Sequence, residues 1–384
     1  MDILVLGGTG AMGVPLVQQL AQESDVYVTT RRKTPPFPNA THKVTYIQGN
    51  AKEQVFLMEV LSQRHWDAVV DFMVWGSEFP QVAPLMLAAT DQYVFISSAR
   101  VYAQSEELIT EDAPRLLDVS TDKEYLKTNE YALAKAREEN LLLLSGHKNF
   151  TIIRPTITYN SNRLQLGVLE KENWLYRALH GRSIVFSNDI LEKVTTMTYG
   201  GDVAKGIASL VGKEGAKGEV FHITCPQSLL WSEVLEIYQS VLDEYLGCRP
   251  RVVITDECTN LQFKARKYQV IYSRYFNRSF DNSKISQFCD TTTFKNPQEG
   301  LADCLREFLT APKFGNIDWI LEAVNDQVAG EKTPLNEIEK LSNKLYYVAY
   351  RYDIKLLLYL LNMVGNVHKK VRCLVIKLSH KHML

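Results

Sequence analysis

The stretch LVLGGTGAMG, Leu4 to Gly13, constrains this chain more than any other. A short apolar run, Ile3 to Leu6, leads into Gly7, Gly8, Gly10 and Gly13. Val14, Leu16, Val17 and Leu20 follow at helical spacing. The order is strand, tight turn, helix. Glycines at G-x-x-G-x-x-G spacing suit a sharp turn, a close approach of backbone to a pyrophosphate, and tight helix–strand packing. The helix N-terminus would then offer N–H groups and partial positive charge to phosphates. Gly7, Thr9, Gly10, Ala11, Met12 and Gly13 are therefore the expected dinucleotide-binding turn. A purely structural turn in a flavodoxin-like sheet is the alternative reading.

A second strand, Val26 to Thr29, should end near an adenosine ribose. An NAD site wants a carboxylate there. This chain instead reads Thr30-Arg31-Arg32-Lys33. The planar fork of an arginine suits a 2′-phosphate. Arg31 and Arg32 thus favour NADP, with NAD still admitted if the two arginines are only loop charges.

HKVTYIQGN, WDAVVDFMVW and DQYVFISSARVY read as three further strands with helical stretches between them. That alternation predicts an α/β, Rossmann-type, doubly wound parallel sheet, whose ligands bind at the carboxyl ends of the strands. Asn50 ends the third strand, where its amide could read adenine or simply shape a surface loop. Ser97 and Ser98 close the fifth. Some thirty residues on, Tyr131 and Lys135 lie four apart on one predicted helix, about residues 124–145, and so share a face. A phenol ionises near pH 10. A close ammonium and a positive nicotinamide favour its ionised form, which suits acid–base work. In an arbitrary helix the pair would be structural. After a glycine turn and a Ser-Ser strand end it reads as catalytic, with Ser98 holding a substrate oxygen.

These residues resemble the extended short-chain dehydrogenase/reductase superfamily, in its NAD-dependent epimerase/dehydratase branch. The resemblance spans roughly residues 1–310 and rests on GGTGAMG, FISSARVY, YALAK, IIRPTITY, MTYGGDVAKGIASLV, GEVFHIT and FDNSKI. It implies Tyr131 as acid/base, Lys135 as its partner and ribose ligand, and Ser98, preceding Ala99-Arg100-Val101-Tyr102, as the substrate-binding hydroxyl. The sequence also departs from the family. Sugar 4,6-dehydratases carry Asp-Glu where this chain has Ala99 and Arg100, so dehydration is disfavoured. Asn50 replaces the usual aspartate. The expected activity is an NAD(P)-dependent reductase or epimerase of a nucleotide-activated sugar, in polysaccharide or glycan biosynthesis. A silent Rossmann-fold protein that binds RNA or a protein partner is the alternative.

The resemblance implies domains as follows: 1–155 for the dinucleotide, with 183–225 returning to it, and 156–182 and 226–310 as a smaller mixed α/β substrate domain; beyond it, 311–384 reads as a helical C-terminal extension. Arg163, Arg177 and Arg182 are candidate anion ligands for a substrate diphosphate, and Asp202 a loop-fixing residue. His222, inside an apolar strand, reads as a core histidine. Residues 311–340 read as a solvated helical linker. From 343 to 384 one acid, Asp353, stands against many cations, and Val367, Val371, Leu374, Val375 and Leu378 fit one helical face. Such a stripe suits peripheral membrane contact, packing on the enzyme body, or a homodimer.

The chain is 46% hydrophobic and 23% charged with a formal net charge of -1, which gives no overall pull toward nucleic acid. Its six cysteines contain no C-x-x-C pair, so neither a zinc site nor a disulfide framework is expected. No signal peptide is read at the start, and no run reaches the roughly 18–20 apolar residues of a spanning helix. A cytoplasmic enzyme, membrane-associated if at all through its tail, is the expectation.

Overall fold

The computed structural model describes residues 1–33, 43–258, 266–361 and 363. The chain divides into two compact units. The first is Met1–Val168, Ile190–Val241 and Arg266–Pro312; the second is Leu169–Asp189, Leu242–Ala265 and Lys313–Leu384.

The first unit holds a parallel sheet of seven strands: β1 (Asp2–Leu6), β2 (Asp25–Thr30), β3 (Val44–Gln48), β4 (Ala68–Asp71), β5 (Tyr93–Ile96), β6 (Phe150–Pro155) and the strand Glu219–Ile223. Their lateral order is β3, β2, β1, β4, β5, β6 and Glu219–Ile223, and every neighbouring pair is parallel. The order reverses at β1, so a crevice opens between the ends of β1 and β4.

The central strands are apolar on both faces because helices cover both. Ile3 and Val5 pack with Leu16, Val17 and Leu20 of α1 (Gly13–Leu20) and with Val203 and Ile207 of the Gly200–Leu210 helix. Leu4 and Leu6 face the other way, toward Leu57 and Val60 of α2 (Gln54–Ser62) and Phe79 and Met86 of α3 (Phe79–Ala89). The period-two alternation of β1 thus feeds two separate cores.

The second unit pairs strands Ile184–Ser187 and Val252–Thr255 in parallel and contains the helices Lys171–Leu179, Trp319–Ala329 and Leu341–Arg351. The expectation of a solvated linker at 311–340 does not hold. Leu321, Glu322, Ala323, Val324, Asn325 and Asp326 are buried. The acids that made the segment look solvated point inward to arginines. Arg177, fully buried, donates to Glu322, Asp326 and Glu331, each at 2.8 Å, and to the Ser183 carbonyl at 2.9 Å. Arg182 donates to both oxygens of Glu337, at 3.0 and 2.9 Å. Burying these charges is tolerable only because each meets an opposite charge and a hydrogen bond. Arg177 and Arg182 are therefore not available as diphosphate ligands, which corrects the reading from sequence.

Tyr347 of the Leu341–Arg351 helix donates to Asp326 at 2.6 Å and packs with Ala323 and Ile338. This part of the extension is built into its own unit. Beyond it Leu356, Tyr359, Leu360 and Met363 are exposed. The proposed stripe at Val367, Val371, Leu374, Val375 and Leu378 lies outside the described residues. Among the described residues no helix is long and apolar enough to cross a membrane.

Candidate active site

Register brings the pieces of the site to one edge of the sheet. Leu6 pairs with Asp71, and Asp71 with Phe95. The glycine turn after Leu6 and the serines after Ile96 therefore leave the same edge, two strand spacings or about 10 Å apart. A dinucleotide laid across the switch point spans that gap.

The turn itself is tight. Gly7 has φ +75°, open to glycine at little cost. At Gly13 a Cβ would lie 2.6 Å from the Gly8 backbone, so a side chain is excluded where α1 crosses the turn. At Gly10 a Cβ would meet nothing within 4 Å, which leaves clear space over the turn. Thr9 closes it by donating its N–H to Gly7 at 2.8 Å. No side chain caps α1 at Met12, so its N-terminal dipole faces that space. Thr158 reaches Met12 from below at 3.6 Å, and Ala11 lies so close under Gly200 that a Cβ there would sit 2.4 Å from its carbonyl oxygen.

Arg31 and Arg32 are exposed just past β2, the strand beside β1. Asn50 begins the turn into α2: it accepts the Lys52 N–H and donates to Glu53, both at 3.3 Å.

The two serines after β5 have different environments. Ser97 is buried and donates to Glu139 at 2.6 Å. Glu139 in turn receives Arg154 at 2.9 and 2.8 Å and Arg115 at 3.0 Å. That network ties the Tyr131–Leu143 helix to the sheet. Ser98 caps the short turn Ala99–Val101, and its Oγ accepts the Arg100 N–H at 3.2 Å. Its own hydroxyl proton has no acceptor among the described residues.

Tyr131 is the first residue of its helix, not an interior one, because the segment expected as one long helix breaks after a short piece, Lys123–Leu126. Glu130 caps the new start by accepting the Ala132 N–H at 2.8 Å. The break leaves Tyr131 37% exposed, open to a substrate. One turn on, Lys135 is buried. Its Nζ lies 4.4 Å over the Phe95 ring and 3.0 Å from Glu138, but neither Nζ nor that Glu138 oxygen makes an aligned hydrogen bond. Glu138 answers the charge, and ribose hydroxyls would supply an aligned acceptor. The open space at Gly10, the uncapped α1 and the unfilled hydrogen-bonding capacity of Lys135 together fit a dinucleotide.

Sequence reasoning missed Asp71 and Glu138 and gave Arg100 no role. Asp71 ends β4 and accepts Met73 N–H, Trp75 Nε1 and Tyr93 OH at 2.8, 2.6 and 2.7 Å. Burial raises its carboxyl above the ordinary value, against those donors. Glu138, three residues after Lys135, was legible as a helical ion pair. Arg100 links the catalytic candidates: its backbone meets Ser98, and its guanidinium lies 5.3 Å from the Tyr131 ring centre while pairing with Glu130.

His222 takes the core role expected of it. Nδ1 meets Tyr102 OH at 3.2 Å and Nε2 the Asp281 carbonyl, and burial holds its pKa below the usual histidine value. Asp202 accepts the Lys295 N–H at 2.7 Å and so fixes a loop.

A sequence model of the NAD dependent epimerase/dehydratase family matches residues 3–80. The fold as a whole is that of the enzymes in this class. The chain resembles dTDP-glucose 4,6-dehydratase from Bacillus anthracis in complex with NAD, with a TM-score of 0.60 and 15% identity, over 81% of this chain and 97% of that one. It likewise resembles UDP-glucuronic acid 4-epimerase from Bacillus cereus in complex with NAD, with a TM-score of 0.58 and 18% identity, over 80% and 99%. Identities this low establish the fold alone. The family match is confined to the N-terminal Rossmann segment. A curated relative, chloroplast stem-loop binding protein of 41 kDa b from Arabidopsis thaliana, is 29% identical over 237 residues; the match spans 58% of this chain and 58% of that protein.

Proposed function

We propose that this protein is an NADP(H)-dependent reductase or epimerase of a nucleotide-activated sugar, with NAD as the alternative coenzyme. The observation that supports the reading is that Ser98 leaves the sheet edge that also bears the glycine turn, with Arg100 against both Ser98 and the Tyr131 ring and Lys135 over Phe95 of β5. Bound nicotinamide would supply or accept the hydride. Ser98 donates its free hydroxyl proton to the sugar oxygen and fixes it. Tyr131, partly open at its helix start, gives that oxygen a proton in reduction and takes one in oxidation. Lys135 would hold the ribose, and Arg31 and Arg32 would meet a 2′-phosphate. Ala99 and Arg100 offer no acid–base pair for loss of water, which supports reduction or epimerisation over dehydration. The nucleotide sugars named for structural neighbours, UDP-glucuronic acid among them, support the substrate class.

The test is mass spectrometry of ligands that co-purify, then absorbance at the reduced-nicotinamide band with keto-sugar nucleotides. Tight NADP(H) and turnover of one sugar nucleotide are expected. Absence of both, with a folded protein, overturns the reading.

A second reading, stem-loop RNA binding on the same fold, is favoured by the relative named for it. Filter binding of a stem-loop RNA against a salt series separates the two: affinity that falls steeply with salt supports RNA binding. We further propose a cytoplasmic enzyme that touches anionic membranes or a second copy through residues 343–384. Deleting residues 354–384 tests this and spares Tyr347. Full-length protein should co-sediment with anionic vesicles or run as a dimer, and the shortened chain should do neither.

A further inference from the structure

Arg100 occupies a position the proposed chemistry does not use, yet its guanidinium lies against the Tyr131 ring. Its guanidinium stacks 5.3 Å from the Tyr131 ring centre. Its backbone N–H is bound by the Ser98 oxygen at 3.2 Å. It therefore touches both groups that would hold the substrate's reacting oxygen. One edge of the fork pairs with Glu130 Oε1. Its Nε is buried with no hydrogen-bond partner among the described residues. Unused donor capacity on a cation at this depth is unfavourable without a ligand.

The surroundings add positive charge and little to answer it. Arg278 is buried and donates to three backbone carbonyls: Ala103 at 3.0 Å, Tyr102 at 2.9 Å and Tyr272 at 3.3 Å. No carboxylate pairs with it among the described residues. Burial first, and then the charge of Arg100, push its pKa down to about 10. Glu130 is thus the one acid paired with these two arginines among the described residues. It is also held elsewhere: its Oε2 accepts the Ala132 N–H at 2.8 Å and Tyr125 OH at 3.3 Å. Glu130 stays satisfied when Arg100 turns part of its fork to another anion.

We propose that Arg100 determines specificity by receiving an anionic substituent, a carboxylate, on the sugar ring beside the carbon that reacts at Tyr131. The substrate class is a nucleotide-activated uronic acid rather than a neutral sugar. This rests on the nucleotide-sugar reading above and narrows it. A ligand diphosphate has the same chemistry as a carboxylate toward arginine, but Arg100 stands on the phenol itself. An anion it meets is carried by the ring that the phenol serves.

The experiment titrates UDP-glucuronate and UDP-glucose, which share their diphosphate, into the full-length protein by calorimetry. Wild type should bind the uronate about 10- to 100-fold more tightly, the range of one charge-assisted hydrogen-bonded pair. In Arg100→Gln that ratio should fall to near one. Arg100→Gln combined with Glu130→Gln removes both charges and guards against misfolding from a stranded Glu130; its ratio should also be near one. Arg100→Lys, which keeps the charge but loses the fork, should restore part of it. The proposal is overturned if the wild-type ratio is one, if it survives Arg100→Gln, or if both ligands weaken equally, which assigns Arg100 to the diphosphate. If neither ligand binds, the nucleotide-sugar reading fails and this one with it; equal binding of both sinks this one alone.

Discussion

Arg177 is the residue whose removal should hurt the second unit most. It is wholly buried and answers Glu322 and Asp326, whose side chains are 1% and 0% exposed, as well as Glu331. Arg177→Met preserves most of the side-chain volume and removes only the charge and its donors. Two buried carboxylates would then lose their main counter-charge, with Arg182 at 3.0 Å from Glu322 left to serve both. Breaking a buried pair from one side costs roughly 3–5 kcal/mol. The sensitive assay is amide hydrogen exchange across Trp319–Ala329, where local opening is read directly. Protection there should fall by roughly 100- to 5,000-fold, while β1 and β4 of the first unit keep theirs. Acid should act in the same direction through Asp326. Burial alone would raise Asp326, but hydrogen bonds from Tyr347 and Thr333 and the charge of Arg177 outweigh it and hold the carboxyl below its ordinary value. A depressed folded pKa means this stability is present above the unfolded value, about pH 4, and is lost as pH falls further. Unchanged or increased protection in Arg177→Met would refute the view that this ion cluster holds the Trp319–Ala329 helix in place.

Two other substitutions test separate features. His222 is held below its ordinary pKa by burial, so the unfolded chain binds the proton first as pH falls below about 6.5. Stability should therefore drop between about pH 6.5 and 5 by up to roughly 1.4 kcal/mol per pH unit, and His222→Gln should flatten the urea midpoints over that range; an identical drop in the variant would assign it elsewhere. Gly13→Ala places a Cβ 2.6 Å from the Gly8 backbone and should cost roughly 1–3 kcal/mol together with most NADP(H) affinity. Wild-type coenzyme affinity in that variant would remove the glycine turn from the binding site.

The first domain was readable because its signals are local. Alternating apolar residues in β1, glycines at fixed spacing and an apolar stripe on α1 each act within a few residues, and the sheet order follows from the chirality of parallel crossovers. The positions of Ser98 after β5 and of Tyr131 and Lys135 one turn apart on a single helix likewise followed from local pattern. What escaped the sequence depends on distant partners. Glu322 and Asp326 look solvent-loving until Arg177, some hundred and fifty residues earlier, is known to sit between them. The break before Tyr131 was hidden because YLKTNEYALAK carries no glycine or proline, and Glu130 was not read as a helix cap. Arg100 had no visible partner because its contacts, Ser98 apart, come from a helix thirty residues away.

The account as a whole depends on Tyr131 serving as the proton donor beside a bound coenzyme. The direct measurement is Tyr131→Phe, assayed for NADP(H) binding by fluorescence and for turnover of the sugar nucleotide that wild type accepts. Coenzyme binding should stay within a few-fold of wild type while turnover falls by roughly 100- to 10,000-fold. Turnover near the wild-type rate in that variant would contradict the assignment of the proton to this phenol.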